Sequence, residues 1–274
     1  MTPPYESEKH PVSHWVIGDV HGCADALEAL LARLPRHDRL VFCGDVINRG
    51  PRIEAAMTLV WQLVESGRAI WLMGNHERTL VQQLRAGDWR ALQSLAGCDT
   101  YRQLGDLGCR RWLERLEQLP LAYWGRGWVA THAGFDPLTW RPDPTVRMAF
   151  WQAYDGRFGD VIVGHTPGPG VRHVGQIVLI DTGACYGGQL TAYCPETGAF
   201  LQEDGELEDL KLQATLPAPL LSGPRRAGPL LSGQPVSGQP VSGQPMAGPW
   251  LADERLSVQR LSADQRPGQR FPQY

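Results

Sequence analysis

None of the six cysteines, at positions 23, 43, 98, 109, 185 and 194, stands in a CxxC pair. No redox dithiol or zinc-finger staple is therefore written into the chain, and Cys43, inside an apolar run, reads as a core thiol. A disulfide framework is not expected, in keeping with a reduced cytoplasmic setting. No stretch approaches the about 18 consecutive apolar residues that a membrane helix requires. The opening residues, Met1 to His10, hold no apolar core of a secretory signal either. These absences predict a cytoplasmic protein with no membrane partner. An excess of positive charge is missing too: the formal net charge is −3 and the pI lies near 6.2. No global field draws the chain to nucleic acid, so a polyanionic substrate has to be held locally, by arginines or bound cations.

What is present suffices for one sizeable core, since 42% of the 274 residues are hydrophobic; the expectation is one folded domain of about 200 residues with appendages. We read 1–12 as a disordered lead-in, 13–203 as the folded domain and 204–274 as a disordered tail. At the start of the tail lies an acidic run of Glu203, Asp204, Glu206, Glu208 and Asp209, read as a solvated edge. It then turns Pro/Gly/Ser-rich, with Ser-Gly-Gln-Pro units starting at Ser232, Ser237 and Ser242. Such a segment cannot bury enough apolar area to offset its ordering entropy.

The folded part is organised around the stretch from Arg39 to Gly50. A short strand, Leu40 to Cys43, breaks at Gly44 and delivers Asp45 to its carboxyl end, with Arg49 four residues on. The same grammar recurs. A strand His14–Ile17 ends in Gly18-Asp19-Val20-His21, Ala69–Met73 ends in Gly74-Asn75-His76, Trp128–Thr131 ends in His132, and Val161–Val163 ends in Gly164-His165. Helical spacing fills the gaps from Ala24 to Leu34 and from Pro51 to Ser66. Three short helices are expected between Arg78 and Gln118, and another from Val146 to Tyr154. Closely spaced strands after residue 120, among them Ile177–Ile180 and Leu190–Tyr193, point to a second sheet packed on the first. The strand-helix-strand rhythm means an α/β fold, in which the ligand crevice lies beyond the carboxyl ends of the strands.

Asp19, His21, Asp45, Asn75, His132 and His165 all fall at that edge. Carboxylate, imidazole and amide oxygen form a borderline-hard donor set that suits Mn, Fe or Zn better than a thiolate site would. Six donors exceed the needs of one ion. An aspartate shared by two cations about 3.5–4 Å apart would let a bridging water lose its proton near neutral pH. Asp45 is the candidate bridge, with Asp19 and His21 completing one ion and Asn75, His132 and His165 the other. His76, beside a ligand but not needed as one, is placed to give a proton to a leaving oxygen. Arg49 would grip the nonreacting oxygens of a phosphoryl group. The glycines before Asp19, Asp45, Asn75 and His165 let the backbone turn and aim the next side chain inward. His10, His14, His37 and His173 match no motif and read as ordinary structural histidines. Cys23 and Cys185 lie next to site motifs, but no motif in the sequence supplies a base for them, so a thiol nucleophile is not expected.

GDVHG (18–22), GDVINRG (44–50), GNHE (74–77), HAG (132–134) and GHTP (164–167) together resemble the signature series of the phosphoprotein phosphatase family of calcineurin-like metallophosphoesterases. Within that family, DTGACYGGQLTAY (181–193) is similar to the bacterial branch, which holds phage-type Ser/Thr protein phosphatases and diadenosine tetraphosphate hydrolases. The resemblance implies a four-layer αββα sandwich of two mixed sheets flanked by helices. It also implies two metal ions, usually Mn2+, and hydrolysis by direct attack of metal-bound hydroxide. It assigns Asp19, His21 and Asp45 to one ion and Asp45, Asn75, His132 and His165 to the other, with His76 as proton donor, Arg49 as phosphate ligand and Tyr186 near the substrate.

Two departures bear on the substrate. Where the protein phosphatases carry an aspartate that orients the catalytic histidine, this chain has Asn48, which can accept a hydrogen bond but cannot stabilise an imidazolium by charge. The tetraphosphate hydrolases share that lack. Conversely, the short interval between His132 and His165 resembles the compact phage-type enzymes, although the second phosphate-gripping arginine of that interval is absent and Arg147 or Arg157 would have to replace it. The leading expectation is a Ser/Thr-type protein phosphatase open to phosphorylated proteins. The alternative is a dinucleoside polyphosphate hydrolase, and a third reading is a degenerate, non-catalytic interaction module.

Overall fold

Side chains alternate along the strands so that each sheet is apolar on both faces, and this is why helices and a second sheet must cover it. The computed structural model describes residues 12–206. The expectations for the lead-in and the repeat-bearing tail fall on residues outside that range. The first sheet contains β1 (His14–Ile17), β2 (Arg39–Phe42), β3 (Ala69–Trp71), β9 (Gln189–Tyr193) and β10 (Phe200–Asp204), in the order β10-β9-β1-β2-β3. The second contains β4 (Ala122–Trp124), β5 (Trp128–Thr131), β6 (Asp160–Val163), β7 (Arg172–Val174) and β8 (Ile177–Leu179), in the order β4-β5-β6-β8-β7. Each has three adjacent parallel strands; antiparallel pairing adds β9 and β10 at one edge of the first sheet and one strand, β4 or β7, at each edge of the second. In the first, Ile17 lies opposite Phe42, and Phe42 opposite Trp71. In the second, Thr131 lies opposite Val163, and Val163 opposite Leu179. These registers bring the carboxyl ends of the ligand-bearing strands level with one another.

Three apolar layers follow from the alternation. Val16 and Val41 point to one side and meet Ala130, Ile162 and Val178 of the other sheet. Their neighbours Ile17, Leu40 and Phe42 point to the opposite side, into a core shared with α1 (Ala24–Arg33), α2 (Ile53–Glu65), α3 (Asn75–Ala86) and α5 (Asp99–Glu117). The outer face of the second sheet, through Val129, Val161, Val163 and Leu179, packs on Phe135 and on Phe150 of α6 (Met148–Ala153). Each of these fully buried large side chains contributes about 1.5–3 kcal/mol. The result is two mixed sheets flanked by helices, the architecture expected.

Several boundaries differ from the expectation for physical reasons. The second helix starts at Ile53 rather than at Pro51, because Pro51 and Arg52 carry the turn out of the preceding loop. β3 stops at Trp71, and α3 begins at Asn75 itself, where Glu77 in the first turn accepts the Gly74 N–H as a reciprocal cap. Of the three helices that follow β3, α4 (Trp89–Ala96) is short, whereas α5 runs 19 residues with a break at Gly105, whose φ of 69° no helix allows. Glu203 and Asp204, read as part of a solvated acidic run, form the end of edge strand β10. Among the described residues no disulfide links the six cysteines, and no helix is long and apolar enough to cross a membrane.

Candidate metal centre

The loops that leave β1, β2, β3, β5 and β6 carry the six candidate ligands to one edge of the sandwich. The backbone there is conformationally unusual. Among the described residues, six that are not glycine have a positive φ, and five of them are His21 (45°), Asp45 (49°), Asn48 (65°), Arg49 (71°) and His165 (65°). Each such residue costs on the order of 1–3 kcal/mol and persists only where the surroundings enforce it. The close approach extends to glycine. A Cβ on Gly74 would run into the Asp45 carboxylate, and one on Gly164 into that of Asp19. Room beside a neighbouring ligand, as well as a turn, is what these two glycines provide.

Asp45 lies at the middle. Its Oδ2 is 3.4 Å from His132 Nε2, 3.7 Å from His21 Nε2 and 3.8 Å from His76 Nε2. Two trios have their donor atoms within 4.8 Å of one another, His21/Asp45/His76 and Asp45/His132/His165, and Asp45 belongs to both. Asp19 stands beside the first trio, its Oδ2 3.9 Å from His21 Nε2, while its two oxygens accept the His165 backbone N–H at 3.1 Å. Asn75 Oδ1 lies 2.8 Å from His132 Nε2. The six residues are thus together, and His76 joins them more closely than its assignment away from the ligands anticipated.

The electrostatics of this cluster fit cations. Burial, and then the charge of Asp181, raises the Asp19 carboxyl well above its ordinary value. Burial would do the same to Asp45, but His132 and then His76 and His21 outweigh it and hold Asp45 well below the usual range. Both nitrogens of His132 face acceptors, Cys43 O at 2.8 Å and Asn75 Oδ1. Burial opposes a charge on that ring, yet Asp45 and Asp19 lift it to about 10. Burial lowers His21 and His165 to about 3, so both are neutral. His21 Nδ1–H donates to Ile47 O at 2.8 Å, which leaves its Nε2 lone pair turned to the aspartates. Among the described residues no arginine or lysine pairs with Asp19 or Asp45. Buried carboxylates crowded by further carboxyl groups, with imidazoles as their only basic partners and lone pairs converging on them, suit divalent ions.

Several residues that support the site carry little or no signal in the sequence. Glu77, fully buried, accepts from Asp45 N at 2.9 Å, Val46 N at 2.8 Å and Gly74 N at 3.1 Å, and so holds the whole central loop. Burial and the Asp45 charge push its carboxyl up to about 7 against the pull of those N–H donors. Its place three residues into a helix cap, as the last letter of GNHE, was the available clue. Asp181, also buried and raised to about 6 chiefly by burial, lies behind Asp19. Thr100 gives no clue at all. Its N–H and hydroxyl donate to Asn48 Oδ1 at 3.0 and 2.6 Å, and the Cys98 thiol adds a third donor at 3.1 Å. The amide nitrogen of Asn48 consequently faces His76 Nδ1, at 2.6 Å. This corrects the expectation that Asn48 would accept from the histidine.

Arg49 extends its guanidinium over the Tyr186 ring, 5.2 Å from the centroid, and anchors its backbone N–H on Asp99 Oδ2 at 3.0 Å. Of the two arginines offered as a second phosphate ligand, Arg147 reaches the cluster, with Nε 3.0 Å from His165 Nε2. Arg157 does not. Its guanidinium pairs with Asp155 at 2.7 Å and covers Trp140 at 3.9 Å.

A shared carboxylate between two imidazole-bearing trios, at the strand ends of a double-sheet sandwich, defines a metallophosphoesterase. The sequence profile described as calcineurin-like phosphoesterase matches residues 13–193, and the chain belongs to that family. Among its relatives, the bis(5'-nucleosyl)-tetraphosphatase PrpE [asymmetrical] of Bacillus velezensis is 29% identical over 219 residues, covering 65% of this chain and 87% of the relative. The symmetrical bis(5'-nucleosyl)-tetraphosphatase of Ralstonia nicotianae is 35% identical over 134 residues, but these span only 48% of this chain and 45% of the relative. The solved structure of protein PH1004 from Pyrococcus horikoshii OT3 shares the fold, with a TM-score of 0.51 and 15% identity over 76% of this chain and 95% of that one.

Proposed function

We propose that the chain hydrolyses dinucleoside polyphosphates with the help of two divalent cations, Mn2+ in our reading, and that a protein phosphatase, the leading expectation from the compact loops, is the lesser fit. The observation that carries the substrate class is the likeness to the asymmetrical tetraphosphatase, which extends over most of that relative's length. In this proposal Asp19, His21 and Asp45 hold one ion, and Asp45, Asn75, His132 and His165 the other. Bound there, the ions supply Lewis acidity toward phosphate oxygens and make a water easier to deprotonate. The chain's own residues do the rest. Glu77 keeps Asp45 central, and Arg49, backed by the Tyr186 ring, grips nonreacting phosphate oxygens. Arg147 donates to His165 Nε2, and with that nitrogen given to an ion its guanidinium would be free to hold substrate. His76 directs Nε2 to the leaving oxygen.

The test is turnover of diadenosine tetraphosphate against a phosphoserine peptide, each with Mn2+ present. The expected result is a kcat/KM at least tenfold higher for the dinucleotide, with ATP and AMP as products. A preference for the phosphopeptide would reinstate the protein phosphatase. An absence of turnover on any phosphoester, with ions demonstrably bound, would leave the interaction module.

A further inference from the structure

The histidines of the site divide by what their Nδ1 meets. In His21 and His132 it lies 2.8 Å from a backbone carbonyl, of Ile47 and Cys43, so each ring carries a proton on Nδ1 and turns Nε2 toward Asp45. In His76 it lies 2.6 Å from the Asn48 amide nitrogen. That amide cannot turn round. Its oxygen is held by the Thr100 N–H, which can only donate, and also accepts from the Thr100 hydroxyl and the Cys98 thiol, so an NH2 group turned to that side would face a donor with no acceptor in exchange. A donor facing Nδ1 requires a lone pair there, and the ring proton therefore resides on Nε2.

We propose that Asn48 fixes His76 as a neutral imidazole protonated on Nε2, a hydrogen-bond donor to the leaving oxygen rather than a source of a whole proton, and thereby selects phosphoanhydride over alkyl phosphoester substrates. The proposal deepens the function proposed above and rests on it for the reaction. A neutral imidazole polarises an oxygen well but surrenders its proton poorly, because the product would be an imidazolate. Adding a proton at Nδ1 instead would set N–H against N–H across 2.6 Å. The leaving group must then be stable as an anion. A serine or threonine alkoxide is not, and has to be protonated as the P–O bond breaks. The terminal oxygen of a nucleotide is, its second ionisation lying near a pKa of about 6. As the oxygen of water bonds to phosphorus and the anhydride P–O bond breaks, the electron pair departs on a phosphate oxygen that accepts the hydrogen bond from Nε2–H. The proton of the attacking water passes to solvent. His76 is chemically unchanged, and a proton on Nε2, the nitrogen beside Asp45, leaves it no lone pair to offer a cation there. Asn48 acts through His76 and is a positioning residue.

Two variants test this. Asn48→Asp keeps the shape, but its second oxygen accepts from Nδ1–H. Asn48→Gly removes the side chain at a position whose φ of 65° glycine adopts freely. Nitrogen-15 NMR of the metal-free, histidine-labelled protein should show His76 protonated on Nε2 and His21 on Nδ1. The aspartate variant should carry a proton on His76 Nδ1, and the glycine variant should give a mixture. Turnover should follow. Asn48→Asp shifts the ratio of phosphoserine-peptide to diadenosine-tetraphosphate activity toward the ester by at least about tenfold, the low end of a general-acid contribution. A wild-type His76 protonated on Nδ1 overturns the proposal, as does an unchanged pattern in Asn48→Gly or an unchanged ratio when the tautomer reverses in Asn48→Asp. A wild type that hydrolyses some other anhydride, with the Nε2–H pattern intact, sinks the dinucleotide reading while supporting the role of Asn48.

Discussion

Gly74→Ala should disable the metal centre while leaving the sandwich folded. Gly74 has a φ of −87°, which alanine tolerates, so the effect is purely one of space. The added methyl would meet Glu77 Oε2 at 2.5 Å, whereas ordinary contact begins near 3.4 Å, and it would collide with both the carboxylate and the backbone nitrogen of Asp45. Neither neighbour can yield, since Glu77 is bound to Asp45, Val46 and Gly74 through their N–H groups. Overpacking of this kind costs about 1–3 kcal/mol, or some 2–12 °C in Tm for a domain of this size. Displacing Asp45 by about 1 Å relative to His132 should lower turnover by about 100-fold or more and weaken metal binding in parallel. Gly170→Ala supplies the control, because nothing lies within 4 Å of its added methyl. Thermal unfolding, metal analysis and Mn2+-dependent turnover of both variants form the assay. A Gly74→Ala protein that retains two ions and activity within threefold of wild type would refute the steric argument and the bridging place of Asp45.

Arg147→Ala should lower kcat/KM by about tenfold or more, the loss of a charge-assisted phosphate contact, whereas Arg157→Ala should stay within twofold; steady-state kinetics decides, and equal losses would return Arg157 to the site. His132 links metal to pH. Its folded pKa is raised from 6.5 to about 10, so its contribution to the metal-free protein is complete below 6.5 and disappears as pH climbs through 10. Ion uptake at pH 8 should therefore release a proton, seen by calorimetry in buffers of differing ionisation enthalpy, and metal affinity should rise with pH. Thr100→Val should destabilise the protein by about 1–3 kcal/mol by stranding buried polar groups of Asn48, as denaturant unfolding would register; no change would mean that the amide finds other donors.

Much of this was legible because the fold places its chemistry where strands stop. Val16 beside Ile17, and Val41 beside Phe42, state in two letters each that both faces of the first sheet are covered, and Asp19 and Asp45 follow directly. Two of the edge strands, β7 and β10, were not legible. Arg172 to Val174 has too few residues to show alternation, and the charges of Glu203 and Asp204 mask the pairing of β10. Tertiary choices were the least visible. Nothing local separates Arg147 from Arg157; partners such as Asp155 and Trp140 decide. That position 48 is an amide can be read from the chain. Which end of it touches His76 is decided by Thr100, 52 residues away.

The donors at the strand ends also tie one layer of the sandwich to the other. His132 leaves the second sheet and bonds to Cys43 of the first, and His165 likewise bonds back to Asp19. The reactive edge is therefore a seam, with stitches that are its own working parts. Chelation or acid would slacken catalysis and the joint between the sheets in one event, so in the cell the lifespan of this enzyme and its supply of metal should rise and fall together.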